Sequence, residues 1–207
     1  MRRWWLIAAL AILVGAAATQ AQDVQLLGYV RDDLELISQE SLPTWSERWT
    51  GPVEAATILA WEAENGYARF VRDYNGDGVV DELDTIQLAD ELGRMLMATE
   101  TTRGTTDVRL VLGLAQYVAG LYPDEFVLKI YDMGFPGELL ASGLGAYSPT
   151  MVPGITLEVK PGDPNIAAYE LEMDEAEGVI VGLHVREGEN NQYLAGRSYL
   201  YALTSEG

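Results

Sequence analysis

The chain has no cysteine and one histidine among its 207 residues, and its 13 basic residues are outnumbered by 32 acidic ones. Without cysteine there is no disulfide and no thiolate, so stability must come from a hydrophobic core helped by any bound metal. One histidine and no thiol leave zinc or other transition-metal catalysis with few ligands. The formal charge of −19 makes nucleic acid and anionic membrane surfaces poor partners. Long apolar runs are also scarce. The one at Trp4–Ala18 is short for a membrane span.

That run follows Arg2 and Arg3 and leads into Thr19-Gln20-Ala21, a small-residue exit that suits signal-peptidase cleavage before Gln22. The expectation is a signal peptide over 1–21 and a secreted, periplasmic or cell-surface product with no stable membrane insertion after cleavage. A lipid anchor would need a cysteine at the cleavage site. Removing residues 1–21 from 207 leaves 186, enough for a single domain over 22–207, and losing Arg2 and Arg3 takes the charge from −19 to −21.

Residues 73–84 read Asp-Tyr-Asn-Gly-Asp-Gly-Val-Val-Asp-Glu-Leu-Asp, with oxygen-bearing side chains at positions 1, 3, 5, 9 and 12. Calcium takes six to eight oxygens, and this spacing offers Asp73, Asn75, Asp77, the Val79 carbonyl, Asp81 and Asp84 as ligands of Ca2+. Gly78 at position 6 permits the sharp reversal, and Val80 at position 8 is expected to turn inward as an apolar anchor. The pattern resembles EF-hand loops, and more closely those of dockerins, where Asp is common at position 12. Asp84 is shorter than the usual bidentate Glu, which implies modest affinity. Dockerins carry two such loops and this chain one, so the resemblance implies a structural calcium inside a larger domain rather than a cohesin-binding module.

Pro52 and Asn65-Gly66 are start and stop signals for a first helix. Tyr67–Arg72 leads into the loop, and a second helix leaves it with Leu88, Leu92, Met95 and Leu96 on one face. Thr105-Thr106-Asp107 can cap a third helix over Val108–Leu121, with Leu110, Leu114, Tyr117 and Val118 apolar. Glu125–Tyr131, Ile155–Lys160, Val179–Arg186 and Tyr193–Ala202 read as strands, Val24–Val30 as an earlier strand-like piece, and Ile166–Glu175 as a short helix. The pattern predicts an α+β fold, N-terminal helices followed by an antiparallel sheet, with the calcium loop inserted.

Trp49-Thr50-Gly51-Pro52-Val53-Glu54-Ala55-Ala56 resembles the nucleophile helix of bacterial papain-like cysteine peptidases of the bacteriocin-leader type, where Cys-Gly-Pro opens an Ala-rich helix. A cysteine at a helix N-terminus gains thiolate stability there, while a nearby imidazole takes its proton. The resemblance places Thr50 at the nucleophile. It places the base at Gln192, in Asn190-Asn191-Gln192-Tyr193, or at the lone His184 on the third strand, where alternation sets it opposite Val181, Leu183 and Val185. Gln39 is too far from Thr50 to be an oxyanion donor, and the chain stops soon after Ala202, before the strand that would orient the base. The resemblance therefore implies a papain-like outline with no catalytic set.

The leading expectation is an exported calcium-binding protein, an inactive peptidase relative with a binding or structural role toward a peptide, protein or glycan. The alternatives are an extracellular hydrolase using Thr50 with His184, and a calcium-dependent cell-surface assembly module. Trp45, Trp49 and Trp61 are candidates for a carbohydrate platform or for core packing. No carboxylate pair stands out for glycoside hydrolysis.

Overall fold

The computed structural model describes residues 49–100, 104–161, 168, 171–172, 178–187 and 193–205. Helix α1 spans Thr50–Glu64 with Pro52 in its first turn, and it buries Val53, Ala55, Ala56, Ile58, Leu59 and Trp61. It stops because Asn65 donates its side-chain amide to the Trp61 carbonyl at 2.8 Å and Gly66 takes a φ of +121°, open to a residue without Cβ. A 3₁₀ turn, Ala68–Phe70, carries the chain to the acidic loop, and α2 spans Glu82–Glu91.

The expected second helix changes pitch at its end. Leu92–Leu96 is a π turn, with the Met97 N–H bonded to the Leu92 carbonyl at 2.8 Å. The extra residue rotates the face, so Leu88 and Leu92 are buried as expected but Met97 takes the place foreseen for Met95, which is exposed. Helix α3 spans Asp107–Leu121 with Thr106 as N-cap, and it buries Leu110, Leu114 and Val118 with Tyr117 half-buried.

The sheet holds β1 (Phe126–Tyr131), β2 (Thr156–Val159), β3 (Gly178–Glu187) and β4 (Tyr193–Ser205) in the order β2-β1-β4-β3. The coarse α+β class holds, but the sheet is mixed rather than antiparallel: β1 and β2 run parallel, while β4 is antiparallel to both β1 and β3. Parallel neighbours need a crossover of a dozen or more residues, and 132–155 supplies it, including a helix not foreseen, α4 (Phe135–Ala141). Phe135 and Leu139, one turn apart, are its buried anchors.

These elements belong to one contact unit, Asp33–Gly207. Its main core lies where the helices meet the face of the sheet carrying Phe126, Leu128, Ile130, Tyr201 and Leu203. The contact with α1 is close enough that a Cβ on Gly178 would fall 2.3 Å from Ile58 Cγ2. On the other face Tyr131, Leu200 and Ala202 pack with Ala168 and Val179. There the buried Glu172 accepts from Lys129 Nζ at 2.8 Å and from the Tyr131 hydroxyl. The expected signal peptide over 1–21, Val24–Val30 and Trp45 lie outside the described residues, as does most of the helix expected over Ile166–Glu175, although 168, 171 and 172 are helical.

Trp49 and Trp61 are 2% and 9% exposed, so they are core side chains and not a surface platform. Trp49 lies against the π turn so closely that a Cβ at Gly93 would sit 2.2–2.8 Å from its ring carbons. A buried indole cannot yield as a flexible side-chain end would. Gly93→Ala should therefore cost about 1–3 kcal/mol and lower the melting temperature by roughly 3–10 °C. Thermal melts at fixed calcium check this, and an unchanged melting temperature would contradict the close packing.

Candidate metal centre

The acidic loop is held at both ends before any ion is considered. On the incoming side, Tyr67, Phe70, Tyr122 and Phe126 form an aromatic cluster with ring centroids 4.6–6.1 Å apart. The Arg69 N–H donates to the Tyr122 hydroxyl oxygen at 3.0 Å, and the Tyr117 hydroxyl donates to the Phe70 carbonyl at 2.6 Å. At the loop's second position the Tyr74 hydroxyl donates to Glu91 Oε2 at 2.6 Å, an oxygen that also receives Arg72 at 2.7 Å. The Arg72 guanidinium lies 4.3 Å from the Tyr74 ring centroid. Burial, then the Glu91 contact, pushes the Tyr74 phenol far above its usual range, and burial with the Glu91 charge pushes Tyr117 up to about 12.

On the outgoing side Asp81 is the N-cap of α2 and forms a capping box with Asp84. Asp81 Oδ1 accepts from the Leu83 N–H at 2.9 Å, and Asp84 Oδ2 accepts from the Asp81 N–H at 3.0 Å. The other Asp84 oxygen accepts from the Tyr74 N–H at 2.8 Å, so one fully buried carboxylate ties the second, ninth and twelfth loop positions together.

Between these ends the chain winds around Asp73, whose carboxylate accepts from the N–H groups of Gly76, Asp77 and Gly78 at 2.6, 3.2 and 2.8 Å. Asn75 Oδ1 accepts from Asp77 N–H at 2.8 Å, and Asp77 Oδ1 from Val79 N–H at 2.9 Å. Gly76 and Gly78 make the reversals with φ of +75° and +88°.

The donor set fits a hard cation: four carboxylates, one amide oxygen and the Val79 carbonyl, all oxygen. Asp73 Oδ2, Asp77 Oδ1 and both Asp84 oxygens each accept one amide proton and keep a second lone pair for a metal, whereas Asp73 Oδ1 and Asp81 Oδ1 each accept two. Val80 departs from expectation. It is 52% exposed, beside Val79 at 60% and Leu83 at 57%, because the residues that reach the core from this region are Ile86 and Leu88 on α2.

Among the described residues the carboxylates that do converge were not foreseen and lie outside the loop, whose four aspartates are not drawn together as closely. Oxygens of Asp107, Asp132 and Glu138, from the start of α3, the end of β1 and α4, lie within 4.8 Å of one another. All three residues also engage other groups. No local spacing announces this grouping, since the crossover brings its members together.

Of the residues matched to a peptidase, only Thr50 has a described side chain. Thr50 is the exposed first residue of α1. His184 lies on β3 where the pairing with β4 shifts register, from Leu183↔Ser198 to Val185↔Ala195, so simple alternation along the strand stops there. Gln192 lies outside the described residues. No protein-family model, curated protein or solved structure matches the chain.

One turn after Thr50, burial raises Glu54 from its usual 4.5 to about 7. The folded chain then holds a proton that the unfolded chain has lost between about pH 4.5 and 7, so stability falls as pH rises through that window and stays lowered above it. Glu54→Gln should leave stability unchanged at pH 4. At pH 8 it should raise it by about 1–2 kcal/mol, residual solvent contact screening part of the effect. Melts of both proteins at the two pH values check this. Equal differences at pH 4 and pH 8 would contradict it.

Proposed function

We propose that the protein is an exported calcium-binding domain whose ion, held by Asp73, Asn75, Asp77, the Val79 carbonyl, Asp81 and Asp84, stabilises the fold for a binding or structural role. The observation that carries this reading is the agreement between the ligand spacing and a loop already wound about Asp73 and closed by Asp84. Calcium neutralises part of the repulsion among four neighbouring carboxylates, and the loop's far end is the first turn of a core helix. Ion binding therefore adds directly to folding stability. The reading keeps the papain-like outline as an ancestry without chemistry, since Thr50 stands where the nucleophilic cysteine would and, being internal, has no free α-amine to act as its base.

In melts at tenfold calcium excess over Kd, the gain should be about 1.4 kcal/mol, a rise of roughly 3–6 °C. Asp77→Ala should abolish most of it, and magnesium should substitute poorly because it demands a tighter octahedron. A wild-type melting temperature that ignores both calcium and chelator would overturn the reading.

The same protein should show no turnover of a diverse peptide library. Cleavage that disappears in Thr50→Ala or His184→Ala would favour the hydrolase alternative instead.

A further inference from the structure

A cavity of about 220 Å³ opens between α1 and the outgoing end of the acidic loop. Trp61, Ala60 and Ala63 of α1 form one wall, and Val80 faces them from the loop. Small-molecule sites run to about 300–1,000 Å³, so this volume suits one inserted side chain rather than a drug-sized ligand.

Its polar lining is made of acceptors. The buried Thr57 hydroxyl gives its proton to the Val53 carbonyl at 2.9 Å, and the buried Thr85 hydroxyl gives its own to the Asp81 carbonyl at 3.3 Å. Both hydroxyls line the cavity with their protons already used, which leaves them as acceptors. The remaining polar residues are Glu64, Asp81 and Glu82, all exposed and acidic, and no basic residue lines the cavity among those described. If calcium binds the loop, the four aspartates and the ion still carry a net charge of −2, so the rim stays anionic.

A matching occupant needs an apolar stem, a cationic tip and several donors converging on acceptors from different sides. An ammonium meets this better than the planar fork of a guanidinium. The chain's own two lysines are engaged elsewhere, Lys129 with Glu172 and Lys160 with Glu158, both at 2.8 Å.

We infer that this cavity receives a lysine side chain of a partner protein, its stem beside Trp61 and its ammonium among Glu64, Asp81 and Glu82. The inference goes beyond the calcium reading and does not depend on the ion, although it shares Asp81 with the proposed ligand set.

The test is a titration of the ¹⁵N-labelled exported chain, in calcium, with acetyl-Gly-Lys-Gly-amide and with its norleucine counterpart. The lysine peptide should give saturable shifts at the Trp61 indole and at the Thr57 and Thr85 amides, with the norleucine peptide at least about tenfold weaker. Combining Glu64→Gln with Glu82→Gln should weaken lysine binding roughly 3–10-fold while leaving the circular-dichroism spectrum unchanged, both positions being exposed. Equal binding of the two peptides, or no saturable shift at those three residues, overturns the inference. Calorimetric calcium titration of the same sample separates the two claims. Calcium heat without lysine binding sinks only the lysine site, and lysine binding without calcium heat sinks only the metal reading.

Discussion

Asp84 is a fully buried carboxylate that accepts the N–H groups of Tyr74 and Asp81, and the local architecture depends on it. It joins the start of a twelve-residue loop to its end while standing in the first turn of α2. Without it two partly buried N–H donors would lose their acceptor, at a cost of up to about 1–3 kcal/mol each. Because those bonds fix the loop to the helix, they also fix where Asp73, Asn75 and Asp77 stand relative to α2. The aromatic cluster below Phe70 and the contacts of Tyr117 and Tyr122 hold the other side. The loop is thus suspended between two parts of the core.

On the proposed reading, this suspension is how a cysteine-free chain with so large an acidic excess would gain stability from a cation. Four carboxylates in twelve residues repel one another, and the backbone N–H groups of the loop offset part of that. A divalent ion would offset more, and the reversals at Gly76 and Gly78 that its binding needs are already made. The same geometry limits affinity, since Asp84 is shorter than Glu and both its oxygens already accept amide protons.

What could be read from the sequence was local. Pro52, Asn65-Gly66 and the Thr106 cap bracket α1 and α3 within a few residues, and the loop's ligand spacing needs no tertiary knowledge. What could not be read depends on partners distant in the chain. The parallel pairing of β1 with β2 follows from a crossover through α4, whose seven residues carry little periodic signal. The π turn that buries Met97 and exposes Met95 breaks a 3.6-residue pattern that looks regular on paper. Val80 fits the inward position of its motif, but the place of this loop in the fold leaves it at the surface. The register shift around His184 likewise defeats alternation along a strand.

The most direct test of the central claim is calorimetric titration of calcium into the protein and into Asp84→Ala, at neutral pH after chelator treatment. The account predicts one ion per wild-type chain with modest affinity, and in Asp84→Ala a loss of that binding, because both a ligand and the closure of the loop are gone. Absence of saturable calcium heat in the wild type, or equal binding by Asp84→Ala, would contradict it.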